Sequence, residues 1–210
     1  DDKILDSTGS LQGCWRRAVE EAWGGDIQGL LREIENSRVW FWSDPDRHRR
    51  ERVDMRGAWR KIAARALQAV GSPPEPHASK IAEAFDELRF AALSPLPGAV
   101  EMLDRLKSRG ARLALLTNGD ARQQRRKIER FNLARLFDVI LIESEIGAGK
   151  PDLEVFRRAL EELGARAETA WMAGDSLEWD VLGAKRAGVR AAWVDRAGRG
   201  LPENPPAIPD

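Results

Sequence analysis

The sequence has one cysteine, Cys14, two histidines, His48 and His77, and no tyrosine. A single thiol cannot form an internal disulfide, and it fits a reducing compartment. Two histidines argue against a histidine-built metal centre or triad. Net charge is absent too: Lys plus Arg and Asp plus Glu number 34 each. Bulk charge therefore gives no reason to expect nucleic acid or an acidic membrane as partner. No apolar run approaches the ~20 residues of a membrane span, and no signal peptide is visible at Asp1. These features lead to the expectation of a cytoplasmic protein with no nucleic-acid or membrane partner. They leave the oligomeric state open. What is present is ample for a core, with 42% hydrophobic and 32% charged residues in 210, enough for one large domain or two small ones. The eight tryptophans have no physical explanation at this level.

The two parts of the chain carry different periodicities. From about Gly98, helix and strand patterns alternate. "AVEMLDRLKSRG" has helical spacing and stops at Gly110, a good C-terminal cap. "RLALLTNG" reads as a buried strand entering a turn, "ARQQRRKIERF" as a helix and "FDVILIES" as a strand. "DLEVFRRALEELG" is helical with Pro151 just ahead of it; "ETAWMAGD" is a strand, "DVLGAKRAG" a helix and "RAAWVDR" a strand. Continuous apolar strands alternating with helices predict a parallel sheet covered on both faces, with ligands at the carboxyl ends of its strands.

Residues 11–93 show no convincing strand. "LQGCWRRAVEEAW", "IQGLLREIENSRVWFW", "DMRGAWRKIAARALQAVG" and "HASKIAEAFDELRFAAL" are amphipathic and predict a helical bundle. Cys14 falls on a helical face beside Trp15, as a buried thiol. The polar run Ser43 to Arg56 reads as a helix start, with Ser43 or Asp44 as N-cap and Pro45 in the first turn; the alternative has Arg47, His48 or Arg50 contacting an anionic substrate. "SPLPG", Ser94 to Gly98, is the return to the α/β part.

Several chemical groups are predicted at one rim of the sheet. One strand ends at Thr117-Asn118-Gly119, Lys150 follows the next in "GAGKPD", and "GDSLEWD" brings Asp175 and Asp180 after a third. A hydroxyl, a lysine and paired acids suit phosphoryl transfer. Lys150 can neutralise a phosphate oxygen and a carboxylate nucleophile, Thr117 and nearby N–H groups can hold another oxygen, and the acids can hold Mg²⁺. Simpler roles exist for each residue: a strand-end cap for Asp175, an N-cap for Asp180, a plain turn for Thr117-Asn118-Gly119 and a solvated lysine at 150.

"LALLTNG", "GKPDLEVF" and "GDSLEWDVLGAKRAG", in this order, resemble the haloacid dehalogenase-like hydrolases, in the branch with a helical cap inserted after the first core strand. The resemblance implies a Rossmann-like parallel α/β core from residues 1–10 plus 94–210, with an inserted helical-bundle cap at 11–93. It implies a Mg²⁺-dependent phosphatase that hydrolyses a small phosphorylated metabolite through an aspartyl-phosphate intermediate. On this chain it makes Asp1, Thr117 and Lys150 catalytic. Thr117, Asn118, Gly119 and Lys150 become substrate-binding, and Asp175, Asp180 and Asp1 become metal ligands.

The first residues depart from that family's opening motif. Aligned on "ILDS", Asp1 takes the general acid/base position and Lys3 stands where threonine is usual. The nucleophile then falls two residues upstream of Asp1, together with the first core strand, and the sequence is expected to begin inside a longer protein; the abrupt "PPAIPD" end suggests the same of its C-terminus. Lys3 motivates an alternative, a catalytically impaired binding or regulatory protein. A further alternative is a metal-independent 2-haloacid dehalogenase, for which the paired acids would be superfluous.

Overall fold

A computed structural model of the chain describes residues 4–6 and 11–210. The chain separates into two compact units, Asp1–Asp6 with Pro95–Asp210, and Ser7–Ser94.

The second unit is helical: α1 (Leu11–Ala22), α2 (Ile27–Trp42), α3 (Pro45–Glu51), α4 (Met55–Ala69) and α5 (His77–Ala91). Aspartates start three of these helices, because a carboxylate can accept the orphan N–H groups of a first turn. Asp26 accepts from Gly29 N, Asp44 from Asp46 N and Arg47 N, and Asp54 from Gly57 N. Pro45 occupies the first turn of α3, where its missing N–H costs nothing. The apolar faces meet around Trp15, which stacks on Phe85 at 3.7 Å between centroids, with Trp59 edge-on to both. Phe85 is fully buried, a transfer worth roughly 1.5–3 kcal/mol. Cys14 is buried at the edge of this cluster.

The other unit follows the alternating pattern. It contains β1 (Leu5–Asp6), β2 (Ser94–Pro95, at the junction), α6 (Ala99–Ser108), β3 (Ala114–Thr117), α7 (Ala121–Arg130), β4 (Val139–Ile142), α8 (Glu143–Ile146), α9 (Leu153–Leu163), β5 (Trp171–Gly174), α10 (Gly183–Arg186) and β6 (Arg190–Trp193). A π-helical turn, Leu177–Leu182, leads into α10. β3 and β4 pair in parallel, Thr117 opposite Ile142; β5 and β6 also pair in parallel, Gly174 opposite Trp193. β1 pairs with β2.

Three sequence expectations change. The strand patterns were read as one sheet, but among the described residues the ladders form three two-stranded pieces, and none joins β3 to β5. The strands were read as buried on both faces. Instead Trp171 and Ala173 of β5 are exposed and most of β3 is half-buried. The strand read through "FDVILIES" stops at Ile142, and Glu143 opens α8; acids favour a helix start over a strand end.

Candidate active site

The rim residues come from four segments of the α/β unit. Thr117 is the last residue of β3 and is buried. It lines a cavity of about 20 Å³ with Gln124 and Lys127 of α7, room for about one water. Its hydroxyl has a long contact to Asn118 O at 3.5 Å, the outer limit of a hydrogen bond.

Asn118 joins this strand end to Lys150. Its Nδ2 donates to Lys150 O at 2.8 Å, and its Oδ1 accepts from Lys150 N at 2.8 Å. One carboxamide thus satisfies both polar groups of the Lys150 backbone, as a neighbouring strand would. Buried Gln124 donates from Nε2 to Asn118 O at 3.0 Å and steadies the clamp. The Asn118 side chain therefore orients Lys150. Gly119, with φ +107°, makes the turn that a side chain would strain. Its N–H donates to Glu143 Oε2 at 2.8 Å.

Lys150 points its ammonium at Asp180, with Nζ 2.6 Å from Oδ1 and both side chains buried. Asp180 Oδ2 also accepts from Ser176 N at 3.0 Å, and Ser176 Oγ accepts from Trp179 N at 3.0 Å. The cap of this turn is therefore Ser176, and Asp180 sits inside the π-helical turn. π turns recur at functional sites. Gly174 is required by this packing, because a Cβ there would lie 2.2 Å from Asp180 Cβ and Cγ. Asp175 is exposed at the end of β5, and its carbonyl accepts from Trp193 Nε1 at 2.9 Å.

Asn118, Lys150 and Asp180 are thus linked directly, with Thr117, Gly119 and Asp175 each one residue or one short turn away. Asp1 and Lys3 lie outside the described residues. Periodicity did not single out Glu143 or Gln124; the polar break after "VILI" was the only signal for Glu143.

This succession of a Thr-Asn-Gly strand end, a clamped lysine and a lysine-paired aspartate decides the grouping. A family model for haloacid dehalogenase-like hydrolases matches residues 4–188. The chain belongs to this family. A haloacid dehalogenase-like hydrolase of Bacillus subtilis, YfnB, solved bound to magnesium, superposes with a TM-score of 0.73 at 20% identity, covering 100% of this chain and 89% of that one; the likeness is one of fold. Phosphoserine phosphatase of Thermus thermophilus is 46% identical over 71% of this chain and 59% of its own length. The pyrimidine 5'-nucleotidase YjjG of Escherichia coli is 35% identical over 59% of this chain and 55% of its own. A glyceraldehyde 3-phosphate phosphatase of Methanothermobacter thermautotrophicus is 34% identical over 53% and 49%. The chain therefore spans between about half and three-fifths of the length of these curated relatives.

The donor set bears on a metal. Among the described residues no group of three or more His, Cys, Asp or Glu side chains converges. Mg²⁺ takes one or two protein carboxylates and keeps several waters. Asp175, exposed at the strand end, fits as one such carboxylate; Asp180 is already engaged by Lys150. Among the described residues no helix is long and apolar enough to cross a membrane.

Proposed function

We propose that the protein is a phosphatase, hydrolysing a phosphoric monoester of a small metabolite by way of an aspartyl-phosphate intermediate. The observation that carries this reading is the Lys150 ammonium, anchored 2.6 Å from Asp180 while its backbone is clamped by Asn118 at the end of β3. An ammonium fixed in a dry setting can stabilise charge that builds on a transferring phosphoryl group, since no solvent must reorganise. Thr117, at the same strand end, donates its hydroxyl to a phosphoryl oxygen, and the adjoining main chain of Asn118 adds an N–H. Asp175 is the carboxylate proposed to hold Mg²⁺, with Asp180 behind it as the partner of Lys150. The ion would supply charge neutralisation for the phosphoryl oxygens. Asp1, in the register set by "ILDS", is proposed as the general acid/base and a further metal ligand.

The sequence relatives support the substrate class: their names specify phosphoserine, a pyrimidine nucleotide and glyceraldehyde 3-phosphate. A cytoplasmic setting accompanies this reading, since small phosphorylated metabolites and a lone thiol belong to a reducing interior. The test is phosphate release from a panel of phosphorylated metabolites, with Mg²⁺ and with EDTA. Hydrolysis of one or more with Mg²⁺ and loss with EDTA are expected. Turnover of a 2-haloacid without metal, and of no phosphate ester, would overturn the reading.

A further inference from the structure

We infer that Glu143 is a positioning residue, whose carboxylate ties the turn after Thr117 to the segment that delivers Lys150. The inference deepens the phosphatase reading above and rests on it for the turnover part of its test.

α8 has only four residues, and three consecutive side chains in it grip the β3–α7 turn and the first half of α7. Glu143 Oε2 accepts from Gly119 N at 2.8 Å, and Ser144 Oγ accepts from Ala121 N at 2.7 Å. Glu145 takes Arg125 in a two-point ion pair, at 2.8 and 2.6 Å. Two-point guanidinium–carboxylate pairs fix orientation as well as distance. The Glu143 side chain also packs beside Gly149, the residue before Lys150. A Cβ at Gly149 would meet Glu143 Cδ and Oε1 at 2.5 Å. Gly149 has no positive φ, so a side chain there would be opposed by the Glu143 carboxyl rather than by backbone conformation. One carboxylate therefore sits between the Thr117-Asn118-Gly119 turn and the approach to Lys150.

Placing a negative charge close to a site for a phosphate ester opposes binding unless the charge has another task. Its task here is geometric. The Gly119 N–H holds one oxygen, and the bulk of the carboxyl bounds how closely residue 149 approaches the turn. Asn118 then locks Lys150 from the other side. The geometric role asks for an acceptor oxygen at this reach.

The test uses four variants of the full-length protein: Glu143→Gln, Glu143→Ala, Gly149→Ala and the Glu143→Ala/Gly149→Ala pair. Turnover of a hydrolysed phosphate ester and hydrogen exchange at the Gly119 amide are measured in each. Glu143→Gln retains an acceptor oxygen at the same reach and stays within roughly threefold of wild type in kcat. Glu143→Ala loses the tie, and kcat falls by roughly 10- to 100-fold at little-changed KM, the scale of an ångström-sized misplacement. Gly149→Ala evicts the carboxyl and falls as far. The double variant is no worse than either single one, because the added methyl then has nothing to displace. Gly119 exchange accelerates in both single alanine variants and stays slow in Glu143→Gln.

A loss in Glu143→Gln as deep as in Glu143→Ala would overturn the inference and give the charge a chemical role. Additive losses in the double variant, or unchanged Gly119 exchange in Glu143→Ala, would also overturn it. Should the wild type hydrolyse no phosphate ester, the phosphatase reading fails; the exchange pattern across the same variants then decides the positioning role by itself.

Discussion

Lys150 Nζ lies 2.6 Å from Asp180 Oδ1, with the two side chains only 7% and 2% exposed. A pair this dry is held by mutual neutralisation, since breaking it strands a buried charge. Asp180→Asn should therefore destabilise the protein by about 3–5 kcal/mol in urea unfolding, a cost typical of removing one partner of a buried pair. Lys150→Met combined with Asp180→Leu should lose much less than the sum of the single variants. Strict additivity would show that the two charges do not depend on each other.

Gly174→Ala tests the space that Asp180 occupies. The new methyl would stand 2.2 Å from Asp180 Cβ, so the aspartate or the strand end must move. Destabilisation of about 1–3 kcal/mol is expected from such overpacking. Thermal unfolding measures it, and an unchanged midpoint would mean that the π-helical turn yields freely.

Asn118→Ala removes both hydrogen bonds to the Lys150 backbone. The lysine then loses its fixed approach, and kcat should drop by roughly tenfold or more while KM shifts little, as for a misplaced catalytic group. Steady-state kinetics on a hydrolysed ester checks this. A large rise in KM with kcat intact would instead make the Asn118 carboxamide a direct substrate ligand.

Asp175→Asn probes the metal proposal separately from folding. The variant should unfold like wild type, because Asp175 is exposed. It should bind Mg²⁺ more weakly in calorimetric titration and lose roughly 100-fold or more in turnover, on the scale of removing a major electrostatic contribution. Wild-type turnover and Mg²⁺ response would reduce Asp175 to a strand-end turn residue.

Acid should weaken the α/β unit through Asp138. The Leu113 N–H donates to this carboxylate at 2.8 Å and, with Lys107 beside it, holds its pKa below the ordinary carboxylate range. A lowered folded pKa means that the unfolded chain binds the proton first. The stabilisation is thus complete above the unfolded value near 3.8 and is lost as pH falls through the lower folded value. Asp138→Asn should flatten stability against pH in that acid window and leave the slope near neutrality unchanged. An unaltered acid slope would remove Asp138 from the acid response.

Much of the fold was legible because it depends on local rules. Asp44 and Pro45 start α3 as their chemistry requires, and the helical spacing of residues 11–93 is that of five helices with no strand among the described residues. The β–α alternation after Gly98 appears as parallel pairs β3–β4 and β5–β6. Thr117, Lys150 and Asp180 stood out as candidates because short motifs place particular residue types at or just after strand ends. Glu143 could not, because its partners Gly119 and Gly149 are set by strand register and helix placement, which hydrophobic periodicity does not encode.

The sequence alone thus determined most element types, the β–α alternation and the family, since period, cap chemistry and motif spacing all act over a few residues. Only the tertiary structure decided that Asn118 serves Lys150, that Lys150 is neutralised by Asp180 thirty residues away, and that Asp180 lies within a π-helical turn capped by Ser176. The physical reason is burial. Once a charge or a backbone amide leaves water it must find a partner, and which partner lies within 3 Å is fixed by packing between segments distant in the chain.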